Sequence, residues 1–251
     1  MDLTIANVST KIQAADFQAA IAAISRQVTE HFQPEWGTTA NLAGTAVTLK
    51  HKVPIQGHHD AIIYLGDSSQ DPTSGVSGAL GYHSDNYAKI PYGFVYLDIC
   101  AEYGENWTTT LSHEVLELLG DPDAAMTVTG PAPKGAPGSV YYDLEVCDPT
   151  QGDSYNIGTV VVSNFVGRGY FGLTGGTGNT NYLNLQLAEF GVRPGGYFQY
   201  EQGGKVHQIE GARVTERMRA AKRKMGEARR NVRRMARLEN ESLSMAASNH
   251  P

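Results

Sequence analysis

Three residues in the segment TLSHEVLELLGDP have the types and the spacing of a metal-dependent hydrolytic site: His113, Glu114 and Glu117. On a helix, residues four apart lie on one face, so His113 and Glu117 would point to the same position. Imidazole nitrogen and carboxylate oxygen are both zinc ligands. Glu114, next to the first ligand, is placed to take a proton from an attacking water rather than to bind the ion. The segment therefore predicts a zinc site with Glu114 as general base.

Such a site needs a third ligand, and four carboxylates follow in the sequence: Asp121, Asp123, Glu145 and Asp148. The alternative is an ordinary surface helix, because a His-Glu-x-x-Glu segment also arises by chance on amphipathic helices. A carboxylate as second ligand donates more negative charge than a histidine. We therefore expect a raised pKa for the attacking water and a shift in metal preference toward harder ions.

The elements that would position this segment can be predicted from the pattern of apolar residues. Steps of three and four predict a helix over 14–32. Runs of β-branched and apolar residues predict strands at 45–51, 60–66, 79–83 and 92–100. The candidate site helix would then begin beside the last of these strands.

That helix is predicted to run from 108 to 119. Thr108 or Thr109 would cap its amino end, and Gly120 would end it.

The second half of the chain is predicted to be mostly β-structure. Proline and glycine make 121–139 an irregular loop, and strands are predicted at 140–149 and 157–166. The glycine-rich segment 167–181 is expected to be a surface loop. A β-hairpin would follow, turning at Gly203-Gly204.

Composition limits the classes of protein that the chain can form. It has 251 residues, of which 41% are hydrophobic and 18% charged, as in a globular protein of one large domain with an appendage. It has no apolar run long enough for a bilayer and no secretory signal, so we expect no membrane partner and synthesis in the cytoplasm. Cys100 and Cys147 are expected to be buried thiols rather than a disulfide.

Charge is distributed unevenly along the chain. Residues 205–238 hold twelve Lys or Arg and three Glu, a net charge of +9, so the remainder carries −15 of the total of −6. We therefore predict a main domain over 1–204 and a terminal region over 205–251, with a basic amphipathic helix over 212–238. A seam of Met, Ala and Val on that helix favours docking on the domain, self-association or an acidic partner. No specific nucleic-acid binding is expected.

The phrases PEWGTTANL, GALGYHS, TLSHEVLELLGDP and EVCDP resemble a bacterial and phage-associated group of zincin-like proteins. This resemblance covers about 30–170. It implies an α+β fold in which an N-terminal helix and a mixed β-sheet precede the metal-binding helix. It also implies a zinc metallopeptidase that acts on peptide or protein substrates, and a protein that can be packaged in a phage or other particle.

The resemblance offers two choices for the third ligand. In gluzincin-like sites it is an acidic residue well downstream, which favours Glu145, with Asp148 as its alternative. In metzincins the spacing selects Asp123, but the methionine turn of that group is missing. Asp121 resembles a residue that follows the end of the metal-binding helix rather than a ligand.

The resemblance also implies a substrate cleft. The segment GALGYH would be the edge strand that pairs with an extended substrate, with Tyr82 and His83 lining the cleft. The alternative function is a catalytically inactive protein of the same fold, acting as a structural or interaction component of a larger assembly.

Overall fold

The computed structural model of the protein describes residues 1–46, 60–69, 81–85, 90–133 and 137–214, with the backbone alone for 81–85. The predicted basic helix therefore lies outside the described residues from 215 onward, and so does most of the strand predicted at 45–51.

The largest sheet has five strands in the order β2-β1-β3-β5-β4. Four of them are parallel, and β4 runs antiparallel to β5 at one edge. Their bounds are Asp2–Asn7 for β1, Asn41–Ala46 for β2, Ala61–Gly66 for β3, Gly81–Asp85 for β4 and Pro91–Tyr96 for β5. A mixed sheet is thus confirmed. Its inner strand β1, which pairs with β2 and β3, was not predicted.

Helices cover this sheet. α1 (Ala14–Arg26) continues through a π-helical turn (Gln27–Phe32) into α2 (Gln33–Trp36), so the predicted helix extends four residues beyond 32. Pro34 explains the wide turn, because its ring would clash with the carbonyl four residues earlier in a regular α-helix. The helix ends at Gly37, which has a φ of 76°.

Two further helices follow β5. α3 (Leu97–Tyr103) replaces the second half of the strand predicted over 92–100. The carboxylate of Asp98 starts this helix, because it accepts hydrogen bonds from the backbone N–H groups of Ser69 and Ile99. α4 (Trp107–Gly120) carries the candidate site and ends at the predicted residue.

The second half of the chain forms two antiparallel sheets. The larger has the order β11-β10-β7-β6, and the smaller pairs β8 with β9. Their bounds are Thr127–Pro131 for β6, Ser139–Asp143 for β7, Ser154–Ile157 for β8, Val160–Ser163 for β9, Tyr197–Gln202 for β10 and Lys205–Glu210 for β11.

Some predictions for this half are confirmed and others are wrong. The hairpin turn at Gly203-Gly204 is confirmed, and both glycines have positive φ, 59° and 74°. The segment 121–139 is not wholly irregular, because it contains β6. The glycine-rich segment was expected to be a surface loop, but its backbone is anchored to a buried side chain. Its backbone N–H groups at Arg168 and Thr177 donate to the buried carboxylate of Glu35.

The helix α4 is part of the hydrophobic core. Residues 108–119 of α4 are all buried, so the alternative of an ordinary surface helix is wrong. Among the described residues, every helix is too short or too polar to span a bilayer. The fold is therefore mixed α/β, with a four-strand parallel array and its helices beside antiparallel sheets.

Candidate metal centre

The helix α4 is fixed at its amino end and along its length. Asn106, rather than Thr108 or Thr109, caps it, since the Asn106 side-chain oxygen accepts the N–H of Thr108 at 3.0 Å. The helix packs against β4, β5 and β9. The Thr108 hydroxyl donates to the Val161 carbonyl at 2.6 Å, which ties the helix to β9. The residues that follow on α4 are thereby held in a defined position.

Further along α4, ligand atoms of two of its residues converge with one from the segment after β7. Nε2 of His113 lies 3.2 Å from Oε1 of Glu117 and 3.3 Å from Oδ1 of Asp148. The ligand atoms of all three residues lie within 4.8 Å of one another. Each residue is buried, with Glu117 fully inaccessible to solvent. The structure thus assembles one histidine and two carboxylates at a single buried point.

These distances fit a bound ion. A tetrahedral ion with bonds of about 2.0–2.1 Å to its ligands separates the ligand atoms by about 3.3–3.4 Å. Direct hydrogen bonds between an imidazolium and carboxylates are shorter, about 2.7–2.9 Å. Moreover, one N–H at Nε2 cannot point straight at two acceptors. The donor set and its spacing therefore suit a divalent cation bound by His113, Glu117 and Asp148.

The surrounding backbone orients the two carboxylates. Asp148 begins a short 3-10 turn (Asp148–Thr150) that follows β7. The backbone N–H of Cys147, one residue earlier, donates to Oε1 of Glu117 at 3.3 Å. The segment that carries the candidate third ligand therefore also holds the candidate second ligand in place.

The other three carboxylates proposed as ligands do not belong to this group. The two oxygens of Asp121 accept the backbone N–H groups of Ala125 and Met126, so this residue organises the helix exit. Asp123 is exposed. Glu145 is buried but is not a member of the group of converging ligand atoms. The sequence ranked Glu145 ahead of Asp148, whereas the geometry selects Asp148.

Residues were also predicted for the general base, the substrate cleft and the free thiols, and the structure describes only some of them. Glu114 is buried directly beside His113 on α4. β4 is the edge strand of its sheet, as expected, but the side chains of Tyr82 and His83 lie outside the described residues. Cys100 and Cys147 are confirmed as buried free thiols.

The centre has a strongly acidic environment. Three carboxylate residues that act on His113, namely Glu114, Glu117 and Asp148, are all buried. Burial disfavours the charged form of His113, but the negative charge of the nearby Glu117 and Asp148 carboxylates outweighs it. They hold the pKa of His113 well above its usual value. The centre thus favours a positive charge, carried either by a proton on His113 or by a metal ion.

Comparison with models of known protein families, with curated proteins and with solved structures found no match for this chain.

Proposed function

We propose that the protein is a zinc-dependent metallopeptidase of zincin type, with His113, Glu117 and Asp148 as metal ligands. The observation that carries the proposal is the convergence of their buried ligand atoms, with both carboxylates at the spacing from Nε2 of His113 that a tetrahedral ion requires. The ion would supply Lewis acidity at the scissile carbonyl and to the attacking water.

Glu114 is the general base in this proposal. Its neighbour His113 binds the ion, so the Glu114 carboxylate would take a proton from the attacking water and deliver it to the leaving amine. Burial on α4 keeps this carboxylate away from bulk solvent.

The substrate in this proposal is an extended peptide. β4 pairs with β5 on one side and lies at the sheet edge next to α4. An edge strand offers backbone groups to a further strand, so a peptide would add to it antiparallel or parallel and lie across the metal centre. The order of a helix, a mixed sheet and the site helix also supports the zincin assignment.

Elemental analysis of the purified protein tests the metal site. We expect about one equivalent of zinc in the wild type and its loss in His113→Ala and Glu117→Ala. Asp148→Asn and Glu145→Gln form a matched pair, since each replaces one buried carboxylate of the same segment by an amide. Loss of zinc in Asp148→Asn alone supports the geometry, whereas loss in Glu145→Gln alone contradicts it.

Turnover is tested separately from metal binding. A peptide-cleavage screen should detect activity in the zinc-loaded wild type, and Glu114→Gln should abolish it while keeping the metal. Stoichiometric zinc without cleavage of any peptide would favour the alternative, an inactive protein of this fold that serves as an interaction component. A wild type that binds no divalent cation would overturn the proposal.

A further inference from the structure

The third ligand, Asp148, lies on a turn rather than in a helix or strand. The turn is closed locally by Thr150, whose backbone N–H donates to the Cys147 carbonyl at 3.0 Å and whose hydroxyl donates to the same oxygen at 3.2 Å. One short turn has little stiffness of its own. The position of the Asp148 carboxylate relative to α4 therefore depends on what packs behind the turn.

A remote segment, residues 193–196, packs there. The backbone N–H of Arg193 donates to the Pro149 carbonyl at 2.9 Å. Gly196 lies so close to the turn that a Cβ at this position would overlap the Pro149 carbonyl oxygen. A Cβ at Gly152 would likewise overlap the Pro194 carbonyl oxygen. The two segments are interlocked through their backbones.

A two-pronged ion pair closes the contact. Nε and Nη2 of Arg193 donate to the two carboxylate oxygens of Asp153, at 2.8 and 3.3 Å. The guanidinium also donates to the Gln186 carbonyl at 3.2 Å. The side chains of Arg193 and Asp153 are only 23% and 16% exposed, so solvent screens this pair less than an ordinary surface pair. A bidentate pair also fixes orientation, because both prongs must be satisfied together.

We infer that Arg193 is a positioning residue for the metal centre. Through Asp153 and the Pro149 carbonyl it holds the turn at the distance from α4 at which Asp148 completes the ligand set. This role rests on the proposed metal site. Arg193 itself contacts neither metal nor substrate.

Four variants test this role, each compared with the wild type for zinc affinity by competition with a chromophoric chelator. Arg193→Met and Asp153→Asn should each weaken zinc binding about tenfold, the lower end of the range for groups that orient metal ligands. The double variant should be no weaker than either single one, because the pair acts as a unit. Arg193→Lys, which keeps the charge, should recover part of the loss.

The matched control is Arg26→Met. Arg26 forms an ion pair with Glu30 at 2.7 Å, but both side chains are more than half exposed. This variant should leave zinc affinity unchanged. Gly196→Ala perturbs the same turn while keeping both side chains of the ion pair, and it should also weaken binding. Its control is Gly66→Ala, where the nearest atom to an added Cβ is at 3.6 Å.

The visible absorption of the Co²⁺-loaded protein separates positioning from general stability. At saturating Co²⁺ the bands of Arg193→Met and Gly196→Ala should differ from those of the wild type and of both controls, because the coordination geometry has changed. A lower melting temperature with wild-type bands and affinity would overturn the inference alone. A wild type that binds neither Zn²⁺ nor Co²⁺ would overturn the proposed function and this inference together.

Discussion

Replacing Glu117 by Gln in the metal-free protein should remove much of the stability that a proton on His113 provides. The substitution keeps the size of the side chain and deletes a negative charge 3.2 Å from Nε2 of His113. In the wild type, burial lowers and the charge of Glu117 raises the pKa of His113, with a net rise. Without that charge, the pKa of His113 should fall.

The magnitude follows from the distance. Two unit charges 3.2 Å apart interact by about 5 kcal/mol at an effective dielectric constant of about 20. Breaking a buried ion pair by removing one partner costs about 3–5 kcal/mol, since the other charge is left buried. Asp148, 3.3 Å from the same nitrogen, keeps part of this interaction. We therefore expect Glu117→Gln to lower the free energy of unfolding at pH 6 by about 3 kcal/mol.

The pH dependence has a definite sign. A histidine whose folded pKa is raised stabilises the fold fully below its unfolded pKa of about 6.5. That contribution is lost as the pH rises through the folded pKa. The difference in unfolding free energy between wild type and Glu117→Gln should thus be largest near pH 6 and shrink above pH 6.5. Burial lowers the pKa of His31, so the titration of His31 changes the unfolding free energy only below about pH 6.5.

Urea denaturation with a chelator present, at several pH values from 6 to 9, measures this difference. The control is Glu30→Gln, which removes a carboxylate from the exposed pair with Arg26 and should change stability by less than about 1 kcal/mol. A difference that grows with pH, or a Glu117→Gln protein more stable than the wild type at pH 6, would refute the reasoning. Either result would mean that crowding of carboxylates outweighs their attraction to His113.

Three other substitutions or treatments have expected outcomes. Glu35→Gln should destabilise the protein by about 1–3 kcal/mol in thermal denaturation, because one of two backbone N–H groups of the glycine-rich segment loses its acceptor. Asn106→Ala removes the cap of α4 and should cost about 1 kcal/mol in urea denaturation. Cys100 and Cys147 should resist thiol reagents until the protein unfolds, since burial raises the pKa of Cys100 to about 11 and that of Cys147 well above its usual value.

The part of the site on α4 could be predicted because helical geometry is local. Residues four apart share a face whatever the rest of the fold does, so the sequence alone places His113 beside Glu117. The end of α4 at Gly120 and the hairpin turn at Gly203-Gly204 were predictable for the same reason. In each case a residue type selects a local backbone conformation.

Elements whose stability comes from tertiary contacts were harder to predict. β1 is an inner strand of the parallel array, yet only Leu3, Ile5 and Ala6 of its six residues are apolar. The residues LDIC look like the end of a strand but form the start of α3. There the Asp98 side chain accepts the backbone N–H of Ser69 from a different part of the chain. Such contacts are invisible to a pattern read along the sequence.

The choice between Glu145 and Asp148 shows the same limit within the site. Both are acidic, both lie well downstream of α4, and both are buried. Their spacing along the chain does not distinguish them, because the chain turns between β7 and β8 in a way that no local rule determines. Contacts of Pro149 with Arg193, more than forty residues later, help to fix that turn. Which carboxylate joins His113 and Glu117 is therefore a property of the tertiary fold.

The acidic interior links the fold to the proposed chemistry. The carboxylates of Glu114, Glu117 and Asp148 are buried and all act on the imidazole of His113. His113 is the one buried basic residue in the described part of the chain, and its Nε2 faces both Glu117 and Asp148. A proton and a metal ion must compete for that nitrogen, because only the neutral imidazole binds metal. A proton supplies one positive charge and a divalent ion supplies two, so the ion compensates more of the surrounding negative charge. The charge and the geometry at His113, Glu117 and Asp148 therefore suit a divalent ion, which is why we place the metal at the centre of the proposed function.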